Sequence, residues 1–218
     1  MRITVVASGL SVPSSTRLLA DRLAAATAAR TEGAEVTVVE LRELAVDIAN
    51  HLTGGFPSPR LASAIESVTD ADGLIVVTPV FSASFSGLFK SFFDVLEPES
   101  LAGKPVLLGA TGGTPRHSLV LEHALRPLFA YLRAVVVPTG VYAASQDWGA
   151  EGDDYAAGLA ERVDRAATEL AALLAPDTRP TPPRPVARGR RDDEPANVVP
   201  FAERLAALGI EPPRDPRG

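Results

Sequence analysis

The chain has no cysteine among its 218 residues, which removes disulfides, thiolate catalysis and cysteine-ligated metals from consideration. Three histidines (His51, His117 and His123) are too few for a histidine-rich metal centre. Apolar residues nowhere run for the roughly 18 positions that a membrane-spanning helix needs. The N-terminus passes straight into a strand-like run without the basic, apolar and cleavage-site succession of an export signal, so a cytoplasmic location is expected. Positive charge is not in surplus either. The formal net charge is −6 and the pI about 5.1, which argues against nonspecific nucleic-acid binding. Two phosphate signatures are missing as well: G-x-G-x-x-G, and the G-K-[ST] ending of a nucleoside-triphosphate loop. Rossmann-type dinucleotide binding and ATP hydrolysis are disfavoured accordingly.

What is present is a regular alternation. Hydrophobic residues make up 46% of the chain, enough for a substantial core. Five short apolar, β-branched runs stand out at residues 2–7, 36–41, 73–78, 105–110 and 134–139, each bounded by Gly, Pro or Ser. Such runs suit strands buried on both faces of a parallel sheet. Helical periodicity fills the gaps at 15–31, 60–69, 84–96 and 116–133, and follows the last strand at 153–174. A fivefold β-α alternation predicts a doubly wound α/β fold with a five-stranded parallel sheet, and 2-1-3-4-5 is its natural strand order. Residues 43–59, with Asn50, Gly54, Gly55, Pro57 and Pro59, read as a long irregular connection, either a binding loop or a mobile cover. The α/β domain is expected to span residues 1–175. Residues 176–197 form a Pro/Arg-rich linker, and residues 198–218 a C-terminal extension with a short docking helix carrying Phe201, Leu205 and Leu208 on one face.

In this strand order ligands bind where the order reverses, at the carboxyl ends of the first, third and fourth strands. The segments following all three are unusual. The first, residues 7–17, places Ser8, Ser11, Ser14, Ser15 and Thr16 around the start of a helix, where free N–H groups and the helix dipole favour an anion. A phosphate monoester fits such a turn, although a simple helix cap would also use these residues. In the second, Pro79, Val80, Phe81 and Ser82 end the third strand, before a helix beginning near Ser84; the turn can offer N–H donors to a planar ring edge while Phe81 covers apolar surface. The third runs through Thr111, Gly112, Gly113, Thr114, Arg116 and His117. Its paired glycines let the backbone approach a flat ligand, while the bland alternative is a tight turn with an exposed histidine. His123, inside the next helix, is read as structural.

Together the serine-rich loop, the Thr-Pro-Val-Phe-Ser-Ala-Ser-Phe-Ser-Gly-Leu-Phe-Lys-Ser-Phe-Phe-Asp segment at 78–94 and the Ala-Thr-Gly-Gly-Thr-Pro-Arg-His-Ser-Leu turn at 110–119 resemble NAD(P)H-dependent FMN reductases. These are flavodoxin-like enzymes, and the resemblance is strongest to the subgroup that supplies reduced flavin to two-component monooxygenases. It covers residues 1–175 and implies that Ser8, Ser14, Ser15 and Thr16 hold the flavin phosphate. Pro79, Val80, Phe81 and Ser82 would meet the isoalloxazine and ribityl chain, and Thr111, Gly112, Gly113 and His117 would border the ring. Many relatives have tyrosine and asparagine where this chain has Phe81 and Ser82, and an arginine near Leu10, for which Arg17 is the candidate substitute.

The implied activity is hydride transfer from nicotinamide C4 of NADH or NADPH to N5 of FMN, with no catalytic side chain required. A flavin-dependent monooxygenase is the implied partner. A quinone- or azo-type FMN reductase and a non-catalytic electron carrier are the alternatives. Phe85, Phe89 and Phe92 exceed what one helix usually buries, which predicts a homodimer or homotetramer whose interface lies beside the crevice.

Overall fold

A computed structural model describes residues 1–97, 99–149 and 154–175, together with Ala207. The chain divides into two units, residues 1–182 and 183–218. The linker expected at 176–197 and the docking helix expected at 198–218 lie outside the described residues, apart from Ala207, which is helical and exposed.

The strands of the first unit are β1 (Arg2–Ala7), β2 (Glu35–Glu40), β3 (Gly73–Phe81), β4 (Ser84–Phe85), β5 (Pro105–Gly112), β6 (Val135–Val136) and β7 (Val141–Ala144). The main helices are α1 (Ser15–Ala28), α2 (Ala45–Gly54), α3 (Pro59–Thr69), α4 (Gly87–Asp94), α5 (Arg126–Tyr131) and α6 (Asp154–Leu174). Five strand positions occur in the expected order: β2, β1, β3 and β5 run parallel, and β6 and β7 share the fifth position beside β5. The sheet is therefore doubly wound. Alternate residues of each central strand enter opposite layers. Ile3, Val5, Ile75, Val77 and Leu107 pack with α1 and α6, while Val6, Leu74, Val76, Val106 and Leu108 pack with α2, α3, α4 and α5. Burial on both faces is why these runs are continuously apolar.

Serines set three of the helix starts. The Ser14, Ser58 and Ser86 side chains accept the backbone N–H of Arg17, Leu61 and Phe89, each at 3.2 Å, and each hydroxyl satisfies one otherwise orphaned donor.

Four expectations are corrected. The fifth strand is not continuous over 134–139. It breaks into β6 and β7 because Pro138 has no N–H for the ladder, and the carbonyls of Val137 and Pro138 are taken by the Arg126 guanidinium at 3.2 and 3.0 Å. The helix after the third strand, α4, starts at Gly87, not near Ser84, because Ser84 and Phe85 form β4 and pair antiparallel with Phe81 and Val80. Nor is residues 116–133 one helix: a 3₁₀ turn at Pro115–His117 and a π turn at Leu121–Leu125 precede α5. Pro127 has no N–H to return to His123, which divides the run.

The fourth correction concerns residues 43–59. They are mostly helical, as a 3₁₀ turn at Leu41–Leu44 leads into α2. Leu41, Leu44 and Ile48 are buried at helical spacing, and Gly55, at φ +79°, closes α2 in the left-handed conformation. The aromatic surplus is likewise absorbed within one chain. Phe89 and Phe92 are fully buried, and Phe89 and Phe93 pack on Phe129 with ring centroids 6.3 and 5.0 Å apart. These rings supply no argument for a subunit interface. Among the described residues no helix is long and apolar enough to cross a membrane.

Candidate active site

At the carboxyl ends of β1, β3, β5 and β7 the surface opens into a crevice of about 450 Å³, within the range of small-molecule sites. Its lining comes from every loop that the strand order places there. Leu10, Ser11, Ser15 and Thr16 follow β1; Pro79, Val80 and Phe81 end β3; Thr111, Gly112 and Gly113 end β5; Ser145 and Trp148 follow β7. Among the described residues no charged side chain contributes to the lining.

The floor is fixed by buried hydroxyls. Thr16 and Thr111, from the first and third loops, share a hydrogen bond of 2.8 Å between their Oγ1 atoms. Ser8 is fully buried beneath the crevice; its Oγ donates to the Val77 carbonyl at 3.4 Å and accepts from Ser86 Oγ at 3.3 Å. Thr78 Oγ1 accepts the Ser86 N–H at 3.0 Å. These contacts tie β1, β3 and the start of α4 together under the site.

The second wall is a hairpin. Ser82 and Ala83, at φ +48° and +64°, form the two-residue turn between β3 and β4. A two-residue hairpin turn of the favoured kind needs positive φ at both central positions, and neither residue here is glycine. Phe81, next to this tip, is 47% exposed.

At the third wall, a Cβ on Gly112 would lie 2.2 Å from the Tyr142 hydroxyl, so only glycine fits there. Tyr142 donates to the Thr114 carbonyl at 2.7 Å, and burial followed by the nearby Asp147 carboxylate raises its pKa above the usual phenol value. The phenol thus stays protonated and fixes the turn. Gly113 differs: a Cβ there would meet no protein atom within 4 Å. Trp148, the sole tryptophan, completes the rim with the Arg22 guanidinium 5.0 Å from its ring.

Of the twelve residues expected at the site, Ser15, Thr16, Pro79, Val80, Phe81, Thr111, Gly112 and Gly113 line the crevice. Ser8, Ser14, Ser82 and His117 do not. Ser8 is part of the buried floor, Ser14 spends its side chain capping α1, Ser82 is at the hairpin tip, and His117 is exposed in the 3₁₀ turn. Arg17 is no substitute phosphate cation as it stands, because its guanidinium is bound to Asp21 and Glu40. Ser145 and Trp148 are additional. Their signal was the fifth strand itself, whose carboxyl end faces the same crevice once β7 extends the strand position beyond Pro138.

Hydroxyls and amides at the start of α1, beside an apolar slot at the strand-order switch, define a flavodoxin-like nucleotide-binding α/β protein. The model of the family "NADPH-dependent FMN reductase" matches residues 1–149, and the chain belongs to that family. It is an NAD(P)H:FMN oxidoreductase. It is 40% identical to the NADH-dependent FMN reductase SfnF of Pseudomonas putida over 143 residues, covering 66% of this chain and 77% of that one. Among solved structures it is similar to an oxidoreductase from Corynebacterium diphtheriae, at 46% identity and TM-score 0.75, covering 79% of this chain and 96% of that one. It is also similar to the apo form of the NADH:FMN oxidoreductase EmoB, at 33% identity and TM-score 0.71, covering 84% and 97%.

Proposed function

We propose that the crevice binds FMN exchangeably and that the protein delivers reduced FMN to a flavin-dependent monooxygenase, using NADH or NADPH in the cytoplasm. The observation that carries this reading is the lining: hydroxyls and the helix start at one end, apolar side chains at the other, and no charged side chain among the described residues. The donor set fits a flavin mononucleotide. Ser11, Ser15 and Thr16, with the amides of the first turn of α1, would hold the phosphate. Val80, Phe81 and Trp148 offer apolar surface to a planar ring, and Gly113 admits close approach of the backbone. A phosphate held by neutral donors alone is bound less strongly than one paired with arginine, which suits a flavin that must leave.

When bound, FMN would supply the redox chemistry, as an acceptor at N5 of hydride from nicotinamide C4. The chain's own contribution is positional. Thr16 and Thr111 fix the spacing between the first and third loops, the hairpin at 79–85 forms one side, and Trp148 stands at the rim. Alignment of this kind is worth up to about 7–11 kcal/mol in favourable cases, and no acid or base is needed from a side chain.

The test is stopped-flow oxidation of NADH and NADPH with FMN, FAD and riboflavin, on protein purified without added flavin. A colourless preparation that oxidises the nicotinamide only when FMN is added, with riboflavin much poorer, supports the reading. Firmly bound yellow flavin that survives dialysis, with electrons passing on to quinones, replaces it with a prosthetic-flavin reductase. Failure of reduced flavin released by the protein to support a two-component monooxygenase removes the partner.

A further inference from the structure

We propose that Glu40 sets the affinity of the crevice for phosphorylated flavin by withholding Arg17 from it; this rests on the flavin reading above. Arg17 follows Thr16 in the first turn of α1, where a cation would flank an anion bound at the helix start. It is turned to the outer side of the loop instead. There it lines a separate depression of about 240 Å³ together with Ser11, Ser14, Asp21, Glu40 and Arg42. Ser11 belongs to both the depression and the crevice, so the hollow that holds the guanidinium adjoins the proposed phosphate position.

Two acids keep it there. Arg17 Nε donates to Asp21 Oδ1 at 2.8 Å, one turn along the helix, and its Nη1 donates to Glu40 Oε1. Arg42 Nε stands 3.2 Å from the other Glu40 oxygen. Glu40 is itself held in the sheet at the backbone, as the last residue of β2, in register with Ala7, from which the first loop departs. Its side chain is 23% exposed and that of Arg17 35%, so this pair is less screened than an open surface pair. Two arginines and two carboxylates cancel. The cluster beside the proposed phosphate site therefore exerts almost no net attraction on a dianion, although it contains the cation a phosphate would want.

Removing the Glu40 charge changes that balance by one unit without opening a hole. Glu40→Gln keeps the side-chain size and leaves Arg17 with Asp21 alone. At low ionic strength the dissociation constant for FMN should fall about threefold to tenfold, while that for riboflavin, which lacks the phosphate, stays within about twofold. High salt should erase most of the gain. Arg17→Met added to the Glu40→Gln protein should cancel it. Asp21→Asn, at an exposed position on α1, is the second probe should the strand-end change disturb folding, and should shift FMN in the same direction by less.

Binding is read by quenching of Trp148 fluorescence and by equilibrium dialysis against FMN and riboflavin separately. Selective tightening for FMN, lost with Arg17→Met, establishes the restraint. FMN affinity unmoved in both the Glu40→Gln and Asp21→Asn proteins, or FMN and riboflavin moving together, overturns it while leaving the flavin site intact. Absence of saturable binding of either flavin to the unmodified protein overturns both this inference and the reading on which it rests.

Discussion

The Oγ1 atoms of Thr16 and Thr111 meet at 2.8 Å across 95 residues of sequence, with both side chains 2% exposed. Among the described residues each hydroxyl has the other as its side-chain hydrogen-bond partner, which makes their substitutions non-additive. Thr111→Val should cost about 1–2 kcal/mol, because a buried Thr16 hydroxyl is left unsatisfied. Thr16→Val should cost a similar amount. The double substitution should cost clearly less than the sum, since both polar groups leave together. Urea unfolding of the four proteins measures the coupling; strict additivity would show that the two hydroxyls do not depend on each other.

Gly112 and Gly113 are neighbours with opposite constraints. Gly112→Ala drives a Cβ to 2.2 Å from the Tyr142 hydroxyl, so the hydrogen bond to Thr114 must break or the turn must shift. A loss of about 1–3 kcal/mol is expected, with weaker flavin binding as the third wall moves. Gly113→Ala meets no protein atom within 4 Å and should leave thermal stability nearly unchanged. Its effect should fall on FMN affinity alone, measured by the same titration.

The hairpin tip is strained where the chain could have used glycine. Ala83 sits at φ +64°, a conformation that costs an L-residue roughly 1–2 kcal/mol. Ala83→Gly should therefore raise stability by about 0.5–1 kcal/mol, after allowing for the greater freedom of glycine in the unfolded chain. Calorimetry should show a midpoint higher by about 1–4 °C.

In the π turn that precedes α5, the hydrogen bond and charge of Arg126 hold the Glu122 carboxyl below its ordinary pKa of 4.5. A depressed folded-state value means that the unfolded chain takes up the proton first as pH falls. The stabilisation is complete above the unfolded pKa and disappears as pH drops through the folded one. Glu122 is well exposed, so Glu122→Gln should cost less than about 1 kcal/mol at pH 7. That cost should vanish at acid pH below the depressed value. A difference that persists there would assign the effect to packing.

The sheet was legible because both faces are buried. Runs such as residues 73–78 and 105–110 leave no other place for so many consecutive apolar residues, and Ser14 marked the start of the first helix. Three of the crevice walls followed from strand order. What the sequence hid were breaks made by single backbone groups. Pro127 and Pro138 each sit in an apolar run whose period still suggests continuity, and only the missing N–H ends the helix or strand. Asn50, Gly54 and Gly55 are turn formers in the second half of α2 and at its cap, and in the sequence they mask the helical spacing of Leu44 and Ile48. Ser8 and Ser14 are of the residue type that binds phosphate, but side-chain direction decides whether a hydroxyl faces ligand, carbonyl or helix end, and one sequence does not carry that information.

The interruption at Pro138 has a further effect on assembly. The β6–β7 margin of the sheet offers only two and then four residues in strand conformation, with the intervening carbonyls already taken by Arg126. Another polypeptide would find too short a run of free amides there to add itself as a sixth strand. Any association on that flank would have to be made by side chain against side chain and would leave the backbone ladder closed.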